Sequence, residues 1–370
     1  MKHPLVAIFG AGATRGGLAN QSNPYPPLDS DFFDIAGQIH EKGTGTLGKK
    51  VLHSVWDLYG KTHGVGLEYY YRDIDTRHAL QKFAKPSNQP VDWKNKEDEL
   101  IELIRRVYIQ TTCDLDSKTY KPRVSHAHKA ILQLFGSKDT IITFNYDLVI
   151  EESFPKTKFW NPLFGYGIDV SGKKHYWCKR WMDDHFIGRV PTKKRLMLLK
   201  LHGSINWEQY KSNKRIRMKN NAYEVMTRES TVRRGKISIL PPAWKKDIHT
   251  YPYSQLWKKA ANALQDCRSL VILGYSLPET DLMAHALLAE AVRRRLSRRK
   301  LNKSYLRELH LVDPNKEVRE RFIRAFNPAM GATGQVFQYK DIEEFATLRA
   351  GFQPQVRKTE ENNREEKDSK

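Results

Sequence analysis

The chain has 370 residues, 39% of them hydrophobic and including eight Trp and seventeen Tyr, which is core material for one large domain or two ordinary ones and excludes a disordered protein. No apolar run approaches the ~20 residues that span a bilayer. Its three cysteines (Cys113, Cys178, Cys267) are too few and too scattered for a disulfide framework or a four-thiolate zinc site, and the net charge of +21 fits either a solubilising lysine-rich surface or contact with nucleic acid or an acidic protein.

Met1-Lys-His-Pro leads at once into an apolar run, so no secretory leader is expected and a reducing, cytoplasmic setting fits. Val6 to Phe9 reads as a buried strand of a parallel sheet. It runs into Gly10, Gly12, Gly16 and Gly17, a tight turn where backbone can approach a ligand closely. A helix starting near Thr14 points free N–H groups at an anion such as a pyrophosphate. The spacing Gly-x-Gly-x-x-x-Gly departs from the dinucleotide fingerprint, so a nucleotide site and a structural turn both fit. Residues 20–27 form a Pro/Asn loop lying over the glycines, with Asp29 or Ser30 capping a helix from near Asp31. Helices are predicted over 49–59, 67–83 and 96–111, the last with Leu100, Leu103, Ile104 and Val107 on one stripe and Asn95 as its cap. Arg72, Asp73, Asp75 and Arg77 read as a solvated, salt-bridged face.

A helix from Ser125 to Phe135 precedes a strand over Thr140 to Phe144, which ends in Asn145-Tyr-Asp147 and a short helix from Leu148. Ligands of open parallel sheets bind beyond the carboxyl ends of strands, so Asn145 and Asp147 are candidates for gripping ribose hydroxyls, or else helix caps. Residues 155–194 are irregular, and His175, Cys178 and His185 are badly spaced for zinc. Leu196 to Asn206 reads as one further buried strand ending in His202-Gly203-Ser204, where a His suits acid–base work or a structural hydrogen bond. Residues 208–236 are a basic insertion or hairpin. Ser269 to Pro278 is a strand running into a turn at Gly274 and Ser276, and Glu279-Thr-Asp-Leu opens a helix to about Ser297. Basic residues cluster at 193–195, 211–219, 233–234 and 293–300, without a zinc-finger or RNA-recognition signature. A strand from Glu308 ends at Asp313-Pro-Asn315, a helix covers 316–326, and Gln335 to Tyr339 is a last strand before a short helix and a charged, disordered tail. The alternation predicts an α/β fold, a doubly wound, mostly parallel six-stranded sheet with strands near 5, 140, 197, 270, 308 and 335, and a helical module over about 28–135.

Four strand ends, Gly10-Ala-Gly-Ala-Thr14, Thr143-Phe-Asn-Tyr-Asp147, Leu201-His-Gly-Ser204 and Gly274-Tyr-Ser276, together resemble in this order the sirtuin family of NAD-consuming enzymes. The family pattern is Gly-Ala-Gly-x-Ser, Thr-Gln-Asn-x-Asp, His-Gly and Gly-x-Ser. Here Thr14 replaces Ser and Phe144 replaces Gln, and Pro26-Pro-Leu-Asp stands in place of the arginine-bearing segment of deacylating members. Only Cys267 follows His202, so the four-cysteine zinc module of deacylating sirtuins has no counterpart in this chain. With Lys200-Leu-His-Gly-Ser204 and Gly274-Tyr-Ser-Leu-Pro-Glu-Thr-Asp281, the sequence looks most like the sirtuin-like domains of prokaryotic anti-phage systems, which hydrolyse and deplete NAD.

The resemblance implies a Rossmann-like NAD-binding catalytic domain over 1–350, with the helical insertion, irregular insertions at about 155–194 and 208–236, and a tail at 351–370. It implies Asn145, His202 and Asp147 as catalytic residues: Asn145 orienting the ribose hydroxyls and water, His202 as general base toward a ribose hydroxyl or water, Asp147 holding the hydrogen-bond network or offsetting positive charge. Gly10, Ala11, Gly12 and Thr14 then bind the pyrophosphate, Gly274 and Ser276 complete the phosphate and ribose contacts, and Asp313 and Asn315 lie near the adenosine. NAD+ is the substrate and no metal is required. The alternatives are a protein deacylase, an ADP-ribosyltransferase or a non-catalytic nucleotide-binding module. The partners implied are further copies of the chain in a homo-oligomer, and a trigger such as a HerA-type ATPase or an Argonaute-type protein. A nucleic-acid contact through the basic surface fits as well, and no membrane is involved.

Overall fold

Short apolar runs bounded by glycine, proline and polar residues become strands buried on both faces, because helices cover both sides of the sheet they form. The computed structural model describes residues 4–22, 24–41, 64–81, 93–114, 121–154, 160–171, 195–209, 216–218, 236–240, 248–297 and 305–353, with positions 52, 53, 56 and 83. The strands in chain order are β1 (Leu5–Phe9), β2 (Cys113–Asp114), β3 (Lys121–Pro122), β4 (Thr140–Thr143), β5 (Val170–Ser171), β6 (Met197–Lys200), β7 (Gly203–Gln209), β8 (Ile216–Met218), β9 (Lys236–Ile239), β10 (Ser269–Leu273), β11 (Leu306–Val312) and β12 (Met330–Tyr339).

Six of them form an all-parallel sheet in the order β12-β11-β10-β1-β4-β6. Numbered by their own sequence, this is 3-2-1-4-5-6, the order of dinucleotide-binding sheets, and it reverses between β1 and β10. The register brings the carboxyl ends level there. Phe9 pairs with Leu273 on one side and Thr143 on the other, and Thr143 pairs with Lys200. The residues that follow, Gly10, Gly274, Phe144 and Leu201, therefore begin one continuous edge.

The expected six-stranded α/β sheet is present. The single strand read over Leu196 to Asn206 is not: β6 stops at Lys200, Leu201 and His202 make a turn, and β7 begins at Gly203 in a second sheet of order β5-β8-β7-β9. The cause is local. Gly203 has φ +82°, and a Cβ there would lie 2.0 Å from Ser238 O, so the chain turns sharply and passes against β9 at a position only glycine fits. The helix read as starting near Thr14 spans Ala11–Gly17. Asn95 is not a cap, because the helix Trp93–Thr112 starts before it; its Nδ2 donates to Glu99 Oε1 one turn on, at 3.0 Å.

The helices Phe32–Glu41, Leu67–Gln81 and Trp93–Thr112 build a second core around Phe32, Tyr70, Leu100 and Ile104. That core also takes in Tyr146, Leu148, Ile205 and Ile239, so the helical layer rests on the segment after β4 and on the second sheet. Arg77 pairs with Asp73 at 2.7 Å on its outer face. His175, Cys178, His185, most of the predicted helix 49–59, much of the basic stretches and the tail from 354 lie outside the described residues. Among the described residues, no helix is long and apolar enough to cross a membrane.

Packing of the main core also traps an imidazole. His128, on the helix His126–Leu132, is fully buried with its ring 5.4 Å from that of Phe9. Nδ1 meets Ser125 Oγ at 2.8 Å, and Nε2 has no hydrogen-bond partner among the described residues. Burial lowers its pKa to about 3, so the folded protein keeps the ring neutral while the unfolded chain takes up a proton near pH ~6.5. The stabilisation this supplies is complete above pH ~6.5 and is lost as the pH falls towards 3. In urea denaturation, acidification from pH 7.5 to 4.5 is expected to cost the native chain about 2–3 kcal/mol more than it costs His128→Phe. Parallel losses in the two proteins would rule this account out.

Candidate active site

The edge is built on a backbone contact. Gly10 N–H donates to Leu273 O at 2.9 Å and Gly12 N–H to Gly274 O at 2.9 Å, so the turns after β1 and β10 touch directly. A Cβ on Gly10 would sit 2.4 Å from Gly274 O. One on Gly274, whose φ is +54°, would sit 2.1 Å from Ala13 N. The N–H groups of Gly10 and Gly12 are thus bonded within the protein, and both glycines make room for the close approach of the two turns. Ala11 opens the short helix that follows, with Gly10 at its cap position.

Thr14 and the end of β4 lock together. Asn145 Nδ2 donates to Gly10 O and to Thr14 Oγ1, each at 2.9 Å, and Thr14 Oγ1 donates to Asp147 Oδ2 at 2.9 Å. Asp147 Oδ1 accepts from Val149 N at 2.9 Å, at the first residue of the helix Val149–Ser153. Burial raises the Asp147 pKa, and the Lys200 charge, the Val149 N–H and the Thr14 hydroxyl oppose that rise. Asn145 Oδ1 has no hydrogen bond among the described residues, so it is the amide atom open to a ligand.

Below this network lies a buried ion pair. Lys200, the last residue of β6, is 1% exposed; its Nζ donates to Glu151 Oε1 at 2.9 Å and to the carbonyl of Asp147. Tyr166 OH donates to the same Glu151 oxygen at 2.9 Å, and Glu151 Oε2 has no partner among the described residues. The Tyr166 pKa is driven far up by burial and by Glu151.

His202 occupies the turn between the sheets and is 4% exposed. Its ring meets Phe144 edge-on at 5.1 Å and Tyr146 at 6.1 Å. Nε2 lies 3.6 Å from Asp281 Oδ2. Phe144, where the family pattern has Gln, stacks on Tyr275 at 4.4 Å and walls the site with carbon.

The remaining predicted residues lie along the rim. Ser276 is exposed, and its carbonyl, like that of Leu277 (φ +51°), accepts from Arg321 Nη1 at 2.9 Å. Asp313 Oδ1 accepts from Asn315 N at 2.9 Å, and burial raises its pKa. Asn315 caps the helix Lys316–Phe326 through Glu317 N at 2.8 Å. Among the described residues, neither Asp313 nor Asn315 hydrogen-bonds to Asn145, Asp147 or His202.

Sequence reasoning missed Glu151, Tyr275, Asp281, Glu68 and Asp29 as parts of the site. Asp29 accepts from Glu68 N at 2.7 Å, and Glu68 in turn accepts the Thr280 hydroxyl, which ties the helical layer to the loop before Asp281. The Pro26 loop is held down by Arg15, which donates to Pro26 O at 2.8 Å and pairs with Asp31 at 2.5 Å.

A sequence profile of the SIR2-like domain matches residues 139–327, just over half of the chain. That span takes in Asn145, Asp147, His202, Gly274 and Asp313. The sequence matches no curated protein. Among solved structures, the chain is similar to a Sir2 homologue in complex with NAD, at 11% identity over 92% of this chain and 86% of that one, with a TM-score of 0.40. It is also similar to a mutant Sir2 homologue in complex with ADP-ribose, at 11% identity over 99% of this chain and 94% of that one, with a TM-score of 0.42.

The buried pair sets a stability test. Lys200→Met removes the cation that faces Glu151 and supports the Asp147 carbonyl, leaving a buried carboxylate uncompensated; a loss of about 3–5 kcal/mol in urea denaturation is expected. Adding Glu151→Gln is expected to restore most of it. A double variant no more stable than Lys200→Met would show that the pair is not what holds these elements together.

Proposed function

The chain belongs to the SIR2-like domain family, and from that premise we propose that it is an NAD+ glycohydrolase, cleaving the nicotinamide–ribose bond to give nicotinamide and ADP-ribose. The observation that supports this reading is that Asn145 and His202 follow neighbouring, in-register parallel strands at one sheet edge, the residues flanking Asn145 packing on the His202 ring and Asn145 itself reaching the glycine turn where the strand order reverses. The absence of zinc-binding cysteines favours hydrolysis over deacylation: Cys267, the one cysteine after His202, is buried against Arg295, which donates to its Sγ at 3.0 Å.

Breaking the bond between the nicotinamide nitrogen and the ribose carbon leaves positive charge on the sugar, while the base departs neutral and needs no strong acid. The protein's task is to hold the ribose and deliver water to the carbon. Asn145 Oδ1 orients a ribose hydroxyl or the water, its Nδ2 being fixed by Gly10 and Thr14. His202 takes the water proton as the new carbon–oxygen bond forms and passes it to solvent, so NAD+ and water give nicotinamide, ADP-ribose and one proton. Phe144 and Tyr146 lie against the His202 ring and Tyr275 stacks behind Phe144, which limits solvent access and strengthens the electrostatics at the edge. The physiological part of the proposal is an anti-phage effector that depletes NAD when triggered, through assembly with further copies or a separate partner protein.

The decisive experiment follows NAD consumption by the full chain over a range of protein concentrations, with nicotinamide and ADP-ribose quantified. Asn145→Ala and His202→Ala are each expected to lower turnover about 10²–10⁴-fold. Turnover of acyl-peptide instead would reassign the chain as a deacylase, and NAD binding without turnover at any concentration would leave a nucleotide-binding module.

A further inference from the structure

We propose that Asp281 is the positioning residue for His202, fixing which ring nitrogen carries the proton and how the ring is aimed. The inference rests on the reading of His202 as general base. Asp281 immediately precedes the helix Leu282–Ser297 and is 2% exposed. Its place is set from several directions. Its N–H donates to Pro278 O at 3.0 Å, and its Oδ1 accepts from Ala284 N at 3.3 Å as a helix cap. Its Oδ2 accepts from Tyr275 OH at 3.2 Å and faces His202 Nε2 at 3.6 Å.

Capping explains only one of the two oxygens. The other is aimed away from the helix, at an imidazole contributed by a turn 79 positions earlier in the chain. Tyr275 belongs to the Gly274 turn, so the same short segment that abuts the glycine turn after β1 also holds the carboxylate against His202. Thr280, the residue before Asp281, is tied to Glu68 of the helical layer. The carboxylate therefore reaches His202 from a scaffold braced on both sides.

The chemical consequence concerns the tautomer. A carboxylate facing Nε2 favours the form in which Nε2 carries the proton, and Nδ1 is then the basic nitrogen. When that nitrogen accepts a proton, the adjacent carboxylate stabilises the imidazolium. The 3.6 Å separation is longer than a good hydrogen bond, and contacts of this kind tighten once a ligand fills the site.

Two readouts test the proposal on the full chain. In steady-state NAD hydrolysis, Asp281→Asn is expected to lower kcat about 10- to 100-fold while KM for NAD changes little, since the residue acts through His202 and not on the substrate. In nitrogen-15 NMR, the His202 ring signals, assigned by their loss in His202→Ala, are expected to show the Nε2–H tautomer in the native chain and a mixture in Asp281→Asn. Unchanged kcat together with an unchanged tautomer would overturn the proposal. If Asp281→Asn fails to fold, Tyr275→Phe keeps the carboxylate and the helix cap. A several-fold loss of kcat with a partial tautomer shift then supports the proposal, and no change in either refutes it. A native chain that consumes no NAD would sink the hydrolase reading alone, because the NMR comparison still decides the role of Asp281.

Discussion

Two glycine backbones in contact hold this molecule's working edge together. Gly12 donates to Gly274 O, and neither residue tolerates a side chain where they meet. From that contact a line of bonds runs sideways across the sheet. The turn carries Thr14, Thr14 receives Asn145 and donates to Asp147, and the Asp147 carbonyl receives Lys200 from the last strand. Four neighbouring strands are thus linked above their carboxyl ends as well as through their ladder. Asp147 and Lys200 are both buried in this line, the first with its carboxylate on Thr14 and Val149 and its carbonyl on Lys200.

The site has two walls of different origin. One belongs to the parallel sheet and its aromatic packing, where Phe144 lies between His202 and Tyr275. The other belongs to the helical layer, which reaches the site through Tyr146 and through Glu68 on Thr280. Asp29 is the hinge pin of the second wall. Its carboxylate and carbonyl take the N–H groups of Glu68 and Leu67, and burial, with Asp31 nearby, raises its pKa despite the Glu68 N–H.

Much of the fold was legible because parallel strands buried on both faces are continuous apolar runs, and Val6 to Phe9, Thr140 to Thr143 and Ser269 to Leu273 could be read as such. Asn145 and His202 stood out for the same reason, as polar residues following such runs. The turn at Leu201–His202 was hidden, because apolar residues resume beyond it at Ile205 and Trp207 and only the backbone of Gly203 betrays the change of sheet. Lys200 and Glu151 could not be read as buried, since both types are normally exposed and their pairing spans 49 positions. Asp281 resembled any other helix cap, its second contact being long-range. The spending of the Gly10 and Gly12 N–H groups is likewise invisible without the strand order, which is a tertiary fact.

That order also sets a schedule on the ribosome. The strands β1, β4 and β6 are neighbours and emerge first, so half of the sheet can assemble while synthesis continues. The other neighbour of β1 is β10, roughly 260 residues behind Gly10, a distance that takes about 13–50 s to translate at ordinary elongation rates. Until it emerges, the first glycine turn has no carbonyls to receive its N–H groups and Asp281 does not exist. Until β10 and the turn that follows it have been made, this edge cannot close, however complete the rest of the sheet.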